Sequence, residues 1–354
     1  MVASPTLHIE KVQQSRVDSV DWDNLPFGKI FSDHMYVCDY KDGAWQEGKI
    51  MPFGHFTMHP ANMVLHYGQA IFEGMKASKL QDGTPVLLRP DEHARRINAS
   101  ARRMMMAEFP EDRFVEAVSA LVKLDAAWIP PRQGSALYLR PYMYATDEFI
   151  GVRPSETYRF CIFTAPVGPY YAKPVDLVVE QHYVRAVPGG TGEAKAAGNY
   201  AGSLRPVYEA QQKGYDQVLW MGGDDKKNIQ EVGTMNVFFV IDGEVVTPAT
   251  DGAILKGITR KMFLQILKDK GIKATERVLT IDEVVEAYKK GLVTEMFGAG
   301  TAAVVSHVAS LTYGDFRMEF PPVEERKVGN LLKQEIDGLR FGTVEDRHGW
   351  LVRL

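Results

Sequence analysis

The sequence predicts a mixed α and β (α+β) fold in two domains, with antiparallel sheet rather than a regular alternation of strand and crossover helix. Three observations carry this. The chain has 354 residues, too many for one ordinary core, because domains run to roughly 100–200 residues each. Asp-Gly pairs between β-branched and aromatic runs mark tight hairpins, which join antiparallel strands. Helical apolar spacings occur, but not between every pair of strand signals as repeated βαβ units require.

The stretch HMYVCDYKDGAWQEGKI reads as a hairpin about Asp42-Gly43. Over 90–106 a helix is expected: Asp91 and Glu92 suit its start and Arg102 and Arg103 its end. Over 112–127 Phe114, Ala117, Val118, Leu121 and Leu124 share one helical face. SALYLRPYMYAT and YRFCIFTAPVG read as strands. Over 170–187 the pattern loosens, with prolines around one short strand-like run. We place an interdomain connection at 173–183, between a small N-terminal α/β domain (1–172) and a large C-terminal α/β domain (184–354). In the second half, 199–214 is helical and stops at Gly214. QVLWMGG, TMNVFFVIDGEVVTP and EMFGAG are strands. Residues 257–270 form a helix with Ile258, Met262, Phe263, Ile266 and Leu267 on one side and Gly271 as its stop. A last helix over 282–290 is capped by Thr280 or Asp282.

Composition excludes several classes. Hydrophobic residues at 45%, charged residues at 24% and a net charge of -4 describe an ordinary soluble domain, not a nucleic-acid surface or a polybasic membrane anchor. No uncharged apolar run approaches the ~20 residues of a membrane helix, and the first residues lack the pattern of a secretory signal. Cys38 and Cys161 read as reduced, buried thiols with no metal-type spacing. A cytoplasmic enzyme is the expectation.

The most informative segment is EAKAAGNYAGSLRP, over 193–206. A lysine is ordinarily a solvated surface group. Lys195 instead stands among Ala194, Ala196, Ala197 and Gly198, which offer a charge little cover but let a cofactor approach closely. It has room to form a Schiff base with an aldehyde. Tyr200 follows, and EVGTMN places the Glu231 carboxylate between strand signals, before Gly233. Lysine, tyrosine and glutamate in this order suit pyridoxal phosphate, which needs a covalent anchor, a partner for its ring oxygen and one for its pyridinium nitrogen. For the phosphate, KGITRK opens a helix, whose free N–H groups attract anions. GAGTAA over 298–303 offers glycines and a hydroxyl, and Arg95 or Arg96 could add a bidentate contact.

The segments FGKIFSDHM, LHYGQAIFEGMKA, SALYLRPYMY, the lysine segment, EVGTMNVFFV, GAILKGITRK and EMFGAGTAAVV together resemble the branched-chain amino acid aminotransferases, fold-type IV pyridoxal phosphate enzymes of the D-alanine aminotransferase-like superfamily. The resemblance implies two domains with the active site at their interface and pyridoxal 5'-phosphate as cofactor. It implies Lys195 as the Schiff-base lysine, Tyr200 on the ring hydroxyl, Glu231 on the pyridine nitrogen and Arg96, rather than Arg95, on the phosphate. Gly257, the N–H groups of Ile258 and Thr259, and the Thr301 hydroxyl complete the phosphate cup, Leu255 packs on a cofactor face, and Thr234 lies near cofactor and substrate. Phe27, Tyr67, Phe72, Tyr138 and Tyr170 are the implied apolar walls. Arg140 would engage the γ-carboxylate of glutamate, which an apolar pocket would reject. Thr301 and Ala302 would hold the α-carboxylate, and Val152 would come from a second subunit. Ala303 and Ser306 stand where some relatives carry a CxxC pair.

The activity so implied is a ping-pong exchange of the amino group between L-leucine, L-isoleucine or L-valine and 2-oxoglutarate, giving branched-chain 2-oxo acids and L-glutamate. A homodimer or higher homo-oligomer is expected, with no nucleic acid, membrane or metal. The alternatives are a D-amino acid aminotransferase, an aminodeoxychorismate lyase, a non-catalytic binding protein or a dehydrogenase. The last lacks a G-x-G-x-x-G opening a helix after a first strand.

Overall fold

The structure, a computed structural model, describes residues 7–132, 134–168, 173–222 and 226–354. The chain divides into two compact units: Met1–Tyr170 with Ala194–Ala197 and Gly338–Leu354, and Tyr171–Glu193 with Gly198–Asp337.

The first unit is built on one sheet. In spatial order its strands are His8–Ile9, Lys49–Pro52, His34–Lys41, Tyr158–Val167, Ala136–Ala145, Met75–Lys79, Pro85–Leu88 and Leu351–Arg353. Every pairing along this path is antiparallel except the first. The expected hairpin is present: Tyr40 pairs with Trp45 and Lys41 with Ala44, and Asp42 and Gly43 carry the positive φ of 53° and 75° that a two-residue primed turn needs. Three helices accompany the sheet: α1 (Met63–Tyr67), α2 (Pro90–Arg103) and α3 (Glu111–Leu124). Ile97 and Ala101 of α2 and Phe114, Val118 and Leu121 of α3 share one apolar core with Met75, Ala77, Leu137 and Leu139 of the sheet. Cys38 and Cys161 are buried free thiols.

The second unit holds α4 (Ala197–Gln212, entering the unit at Gly198), α5 (Ile258–Asp269), α6 (Ile281–Lys289) and α7 (Lys327–Phe341, leaving it after Asp337). Its sheet runs Asn228–Val232, Gln217–Gly222, Val175–Val179, Val304–Tyr313, Val293–Gly300, Met235–Ile241, Glu244–Pro248, Ala274–Arg277. A further pairing of Asn228–Val232 with Met235–Ile241 closes the first six of these into a ring. The α6 cap is Thr280, whose side chain accepts from the Glu283 N–H.

Two expectations about organisation need correction. Residues 173–183 are not a connection: Val175–Val179 is a strand paired in parallel with both Gln217–Gly222 and Val304–Tyr313. The lysine does not cluster with the C-terminal half. The Phe72 N–H donates to the Lys195 carbonyl at 3.0 Å and Ala196 bridges to Ile71, which ties Ala194–Ala197 into the first unit. The C-terminus also returns there, because Leu351–Arg353 pairs with Pro85–Leu88.

Candidate active site

In the first unit α2 is the positioning element. It starts at Pro90, where a proline costs no hydrogen bond, and buries the stripe His93, Ala94, Ile97, Ser100 and Ala101. Neighbouring arginines therefore meet different fates. Arg95 is 53% exposed and pairs with Asp91 and Glu92 on its own helix. The Arg96 side chain is 12% exposed and turns inward. Its Nε and Nη2 donate to the two carboxylate oxygens of Glu73, each at 2.7 Å. Glu73 is fully buried, and His93 Nδ1 lies 2.7 Å from its Oε2. Burial pushes Glu73 up, but Arg96 and His93 outweigh it and hold the carboxyl well below the usual carboxylate range.

One turn after Arg96, the Ser100 hydroxyl accepts from the Lys195 N–H at 2.9 Å. The same helix face thus holds an arginine and fixes the lysine backbone. Lys195 Nζ lies 4.5 Å from the centre of the Phe72 ring. Desolvation first, and then the Arg96 charge, lower its pKa to about 8, with Glu73 opposing. Phe72 also packs under Arg140, whose Cζ is 4.8 Å from its ring centre. Arg140 Nη2 donates to the Tyr138 hydroxyl at 3.3 Å, while its buried Nε has no partner among the described residues. Tyr138 meets Phe27 edge to face at 5.3 Å. Its hydroxyl needs Gly74, where a Cβ would lie 1.9 Å from it. The structure thus brings Lys195, Phe72, Arg140, Tyr138 and Phe27 together. Tyr67 ends α1 at 39% exposure, and Val152 is 91% exposed on the loop after Ala136–Ala145. Tyr170 lies outside the described residues.

In the second unit Thr191 and Asn199 bracket the lysine segment: Asn199 Nδ2 donates to the Thr191 carbonyl and Thr191 Oγ1 to Asn199 Oδ1. Tyr200 follows on α4, half-buried. Glu231 is 3% exposed, two residues before Gly233, which with Thr234 makes a two-residue hairpin turn. Gly233 has φ 54°, and Thr234 is exposed at the tip. Glu231 Oε1 accepts from the Leu255 N–H at 2.8 Å and lies 3.2 Å from Arg185 Nη2. The carbonyl of Leu255 accepts from Asn236 Nδ2. Gly257 caps α5, and it has no side chain to bond the Ile258 and Thr259 N–H groups at the helix start. A Cβ at Gly257 would lie 1.9 Å from Asn236 Oδ1, so any larger residue would force the Asn236 side chain to shift. Thr301 and Ala302 form the turn between Val293–Gly300 and Val304–Tyr313.

A family model for class IV aminotransferases matches residues 70–311. The chain belongs to that family. It is 44% identical to branched-chain-amino-acid aminotransferase 2 of Bacillus subtilis (strain 168), over 99% of this chain and 97% of the relative. Among solved structures, the branched-chain amino acid aminotransferase of Escherichia coli superposes with a TM-score of 0.72 at 27% identity, covering 90% of this chain and 98% of that one. The branched-chain amino acid aminotransferase of T.th., solved with pyridoxamine 5'-phosphate, matches with a TM-score of 0.70 at 25% identity, covering 89% and 97%. The fold is fold type IV, as expected, and the cofactor is pyridoxal 5'-phosphate.

The residues present fit that cofactor. Within the first unit they supply an amine of lowered pKa and an inward guanidinium. Within the second they supply a buried carboxylate and a helix start at a glycine where a Cβ would crowd Asn236. Sequence reasoning missed Glu73, His93 and Arg185. For Glu73 a signal existed, a carboxylate inside the apolar run AIFEGM. Arg185 lies in the loosened stretch before the lysine, where no periodicity marks it.

Proposed function

We propose that this protein transfers the amino group of L-leucine, L-isoleucine or L-valine to 2-oxoglutarate, as a pyridoxal 5'-phosphate-dependent branched-chain amino acid aminotransferase. The observation that carries the reading is Lys195: an amine with a pKa lowered to about 8, on a backbone held by Ser100 and Phe72, near an inward arginine. When bound, the cofactor supplies an electron sink for the bond to the substrate Cα. Lys195 anchors it and then moves the proton at Cα, for which the amine must be neutral. Its lowered pKa makes the neutral form accessible just above pH 8.

Arg96 grips the phosphate, with Gly257, the Ile258 and Thr259 N–H groups and Thr301 in the second unit. Glu231 holds a positive charge on the ring nitrogen, and Tyr200 donates to the ring oxygen. Leu255 covers one ring face and Thr234 lies beside it. Phe27, Tyr67, Phe72, Tyr138 and Tyr170 line the side-chain pocket, and Thr301 and Ala302 hold the α-carboxylate. Arg140 serves the γ-carboxylate of glutamate; its buried Nε, without a partner among the described residues, supports this, because an incoming carboxylate would satisfy it. The protein works in the cytoplasm as a homodimer or larger homo-oligomer. The exposed Ile150 and Val152, 70% and 91% accessible, support a loop that meets a second copy.

The test is the visible spectrum of the holoenzyme. L-leucine without 2-oxo acid should bleach the cofactor band, and D-alanine should leave it; Lys195→Ala should abolish turnover. A band indifferent to leucine refutes the substrate class.

A further inference from the structure

We propose that Glu73, locked by His93, is the positioning residue for the phosphate arginine Arg96. This rests on the reading of Arg96 given above. A guanidinium that must meet a phosphate in one orientation loses that benefit if its side chain can swing. Here the swing is stopped on one edge. Nε and Nη2, the two nitrogens of that edge, both bond to one carboxylate at 2.7 Å, so the guanidinium plane follows the carboxylate plane. The carboxylate cannot move in turn. Glu73 has no exposed surface, its N–H donates to the Pro141 carbonyl at 2.7 Å, and His93 Nδ1 donates to the oxygen that Nη2 shares. His93 is itself a buried residue of the helix that carries Arg96 three positions on, so holder and held share one rigid element.

The same carboxylate has a second consequence. Arg96 and Lys195 are neighbouring cations in a poorly hydrated place, and the arginine depresses the lysine while Glu73 raises it. Tyr138 and Arg140 act on the lysine as well, the first raising and the second lowering it. Glu73 therefore orients the arginine and also limits how far its charge depresses the amine. Orientation and charge predict opposite effects on ligand binding. Removing a negative charge beside the phosphate arginine should tighten an anion by Coulomb attraction alone. Losing the orientation should loosen it.

The experiment uses the apoenzyme of wild type, Glu73→Gln, His93→Gln and Arg96→Lys, with pyridoxamine 5'-phosphate and unphosphorylated pyridoxamine as probes. Neither forms a covalent bond to the lysine, so calorimetric affinities read the grip alone. Glu73→Gln is expected to weaken the phosphorylated probe on the order of tenfold, as loss of an orienting partner typically does, and to leave pyridoxamine unchanged. Labelling of Lys195 across pH, read by mass spectrometry, should show its midpoint moving down by on the order of one pH unit when the opposite charge is removed. Equal or tighter binding of the phosphorylated probe by Glu73→Gln overturns the proposal, since the carboxylate would then be ballast only. Should Glu73→Gln fail to fold, His93→Gln carries the test: a smaller loss confined to the phosphorylated probe supports it, and no loss overturns it. Arg96→Lys separates the two readings. If it binds like wild type, the phosphate assignment of Arg96 fails and takes the proposal with it. If it weakens while Glu73→Gln does not, only the role of Glu73 falls.

Discussion

Each unit holds a buried carboxylate against an arginine, Glu73 with Arg96 and Glu231 with Arg185, and these two pairs are built differently. In the first unit Arg96 holds both oxygens of Glu73 at 2.7 Å, and a histidine closes the remaining approach. In the second, Arg185 reaches Glu231 through one nitrogen at 3.2 Å, and a backbone N–H meets the same oxygen, Oε1. The first carboxylate is gripped on both oxygens, which suits the part proposed for it, that of holding the arginine. In the second, the arginine contact is single and longer, and it falls on the oxygen that the backbone N–H also meets. On the proposed reading, the same two residue types exchange the roles of holder and worker between the two pairs.

The largest effect should come from breaking the tighter pair. Glu73→Gln leaves the buried Arg96 without its counter-charge, which should cost about 3–5 kcal/mol of stability at neutral pH, measured by urea unfolding. The pH dependence follows from the lowered folded pKa of Glu73. Its contribution is fully present above the ordinary glutamate value of 4.5 and is lost as pH falls toward the folded value. The gap between wild type and variant should therefore close below pH 4.5. A gap constant down to pH 3 would mean that the carboxylate is not ionised in the fold.

Glu231→Gln should spare stability more and chemistry less. An amide cannot hold a positive charge on the ring nitrogen, so single turnover with L-leucine should slow by roughly 10²–10³-fold, or about 2.7–4 kcal/mol of barrier. Rapid-mixing absorbance reads this directly. An unslowed half-reaction would remove Glu231 from its role and leave the contrast between the pairs without content.

Arg185→Gln tests whether the looser pair needs its arginine. The Leu255 N–H still holds the same oxygen of Glu231. The expected loss is about tenfold in the same single-turnover rate, about 1.4 kcal/mol. A loss as large as that of Glu231→Gln would show that the arginine, not the backbone contact, sets the carboxylate.

How much of this was legible in the sequence follows from what local pattern can encode. The hairpin at Asp42-Gly43 and the helices around Ile97, Phe114 and Phe263 were legible because turn chemistry and 3.6-residue spacing are local. Lys195 and Glu231 stood out because polar residues among small or apolar ones require a reason. The partners were not legible, because Glu73 and Arg96, 23 residues apart, announce no pairing, and Arg185 lies in a stretch without periodicity. The unit of Lys195 was missed for a similar reason. Which sheet edge captures a four-residue segment depends on hydrogen bonds such as Phe72 N–H to Lys195 carbonyl, and sequence order does not carry them.

The smallest expected effect is the sharpest control. Arg95 and Arg96 are adjacent, equally charged and on one helix, and only the helical turn between them decides which is buried. Arg95 pairs with Asp91 and Glu92 at 3.0 and 2.8 Å, but it is 53% exposed, so water screens both contacts. Exposed pairs of this kind are worth roughly 0.5 kcal/mol or less. Arg95→Ala also restores some helix propensity, which offsets part of that loss. Unfolding free energy should stay within about 0.5 kcal/mol of wild type, and affinity for pyridoxamine 5'-phosphate should not change. If Arg95→Ala weakened the phosphorylated probe as Arg96→Lys does, net positive charge on the helix would account for both. The orientation imposed by Glu73 would then have no part in holding the phosphate.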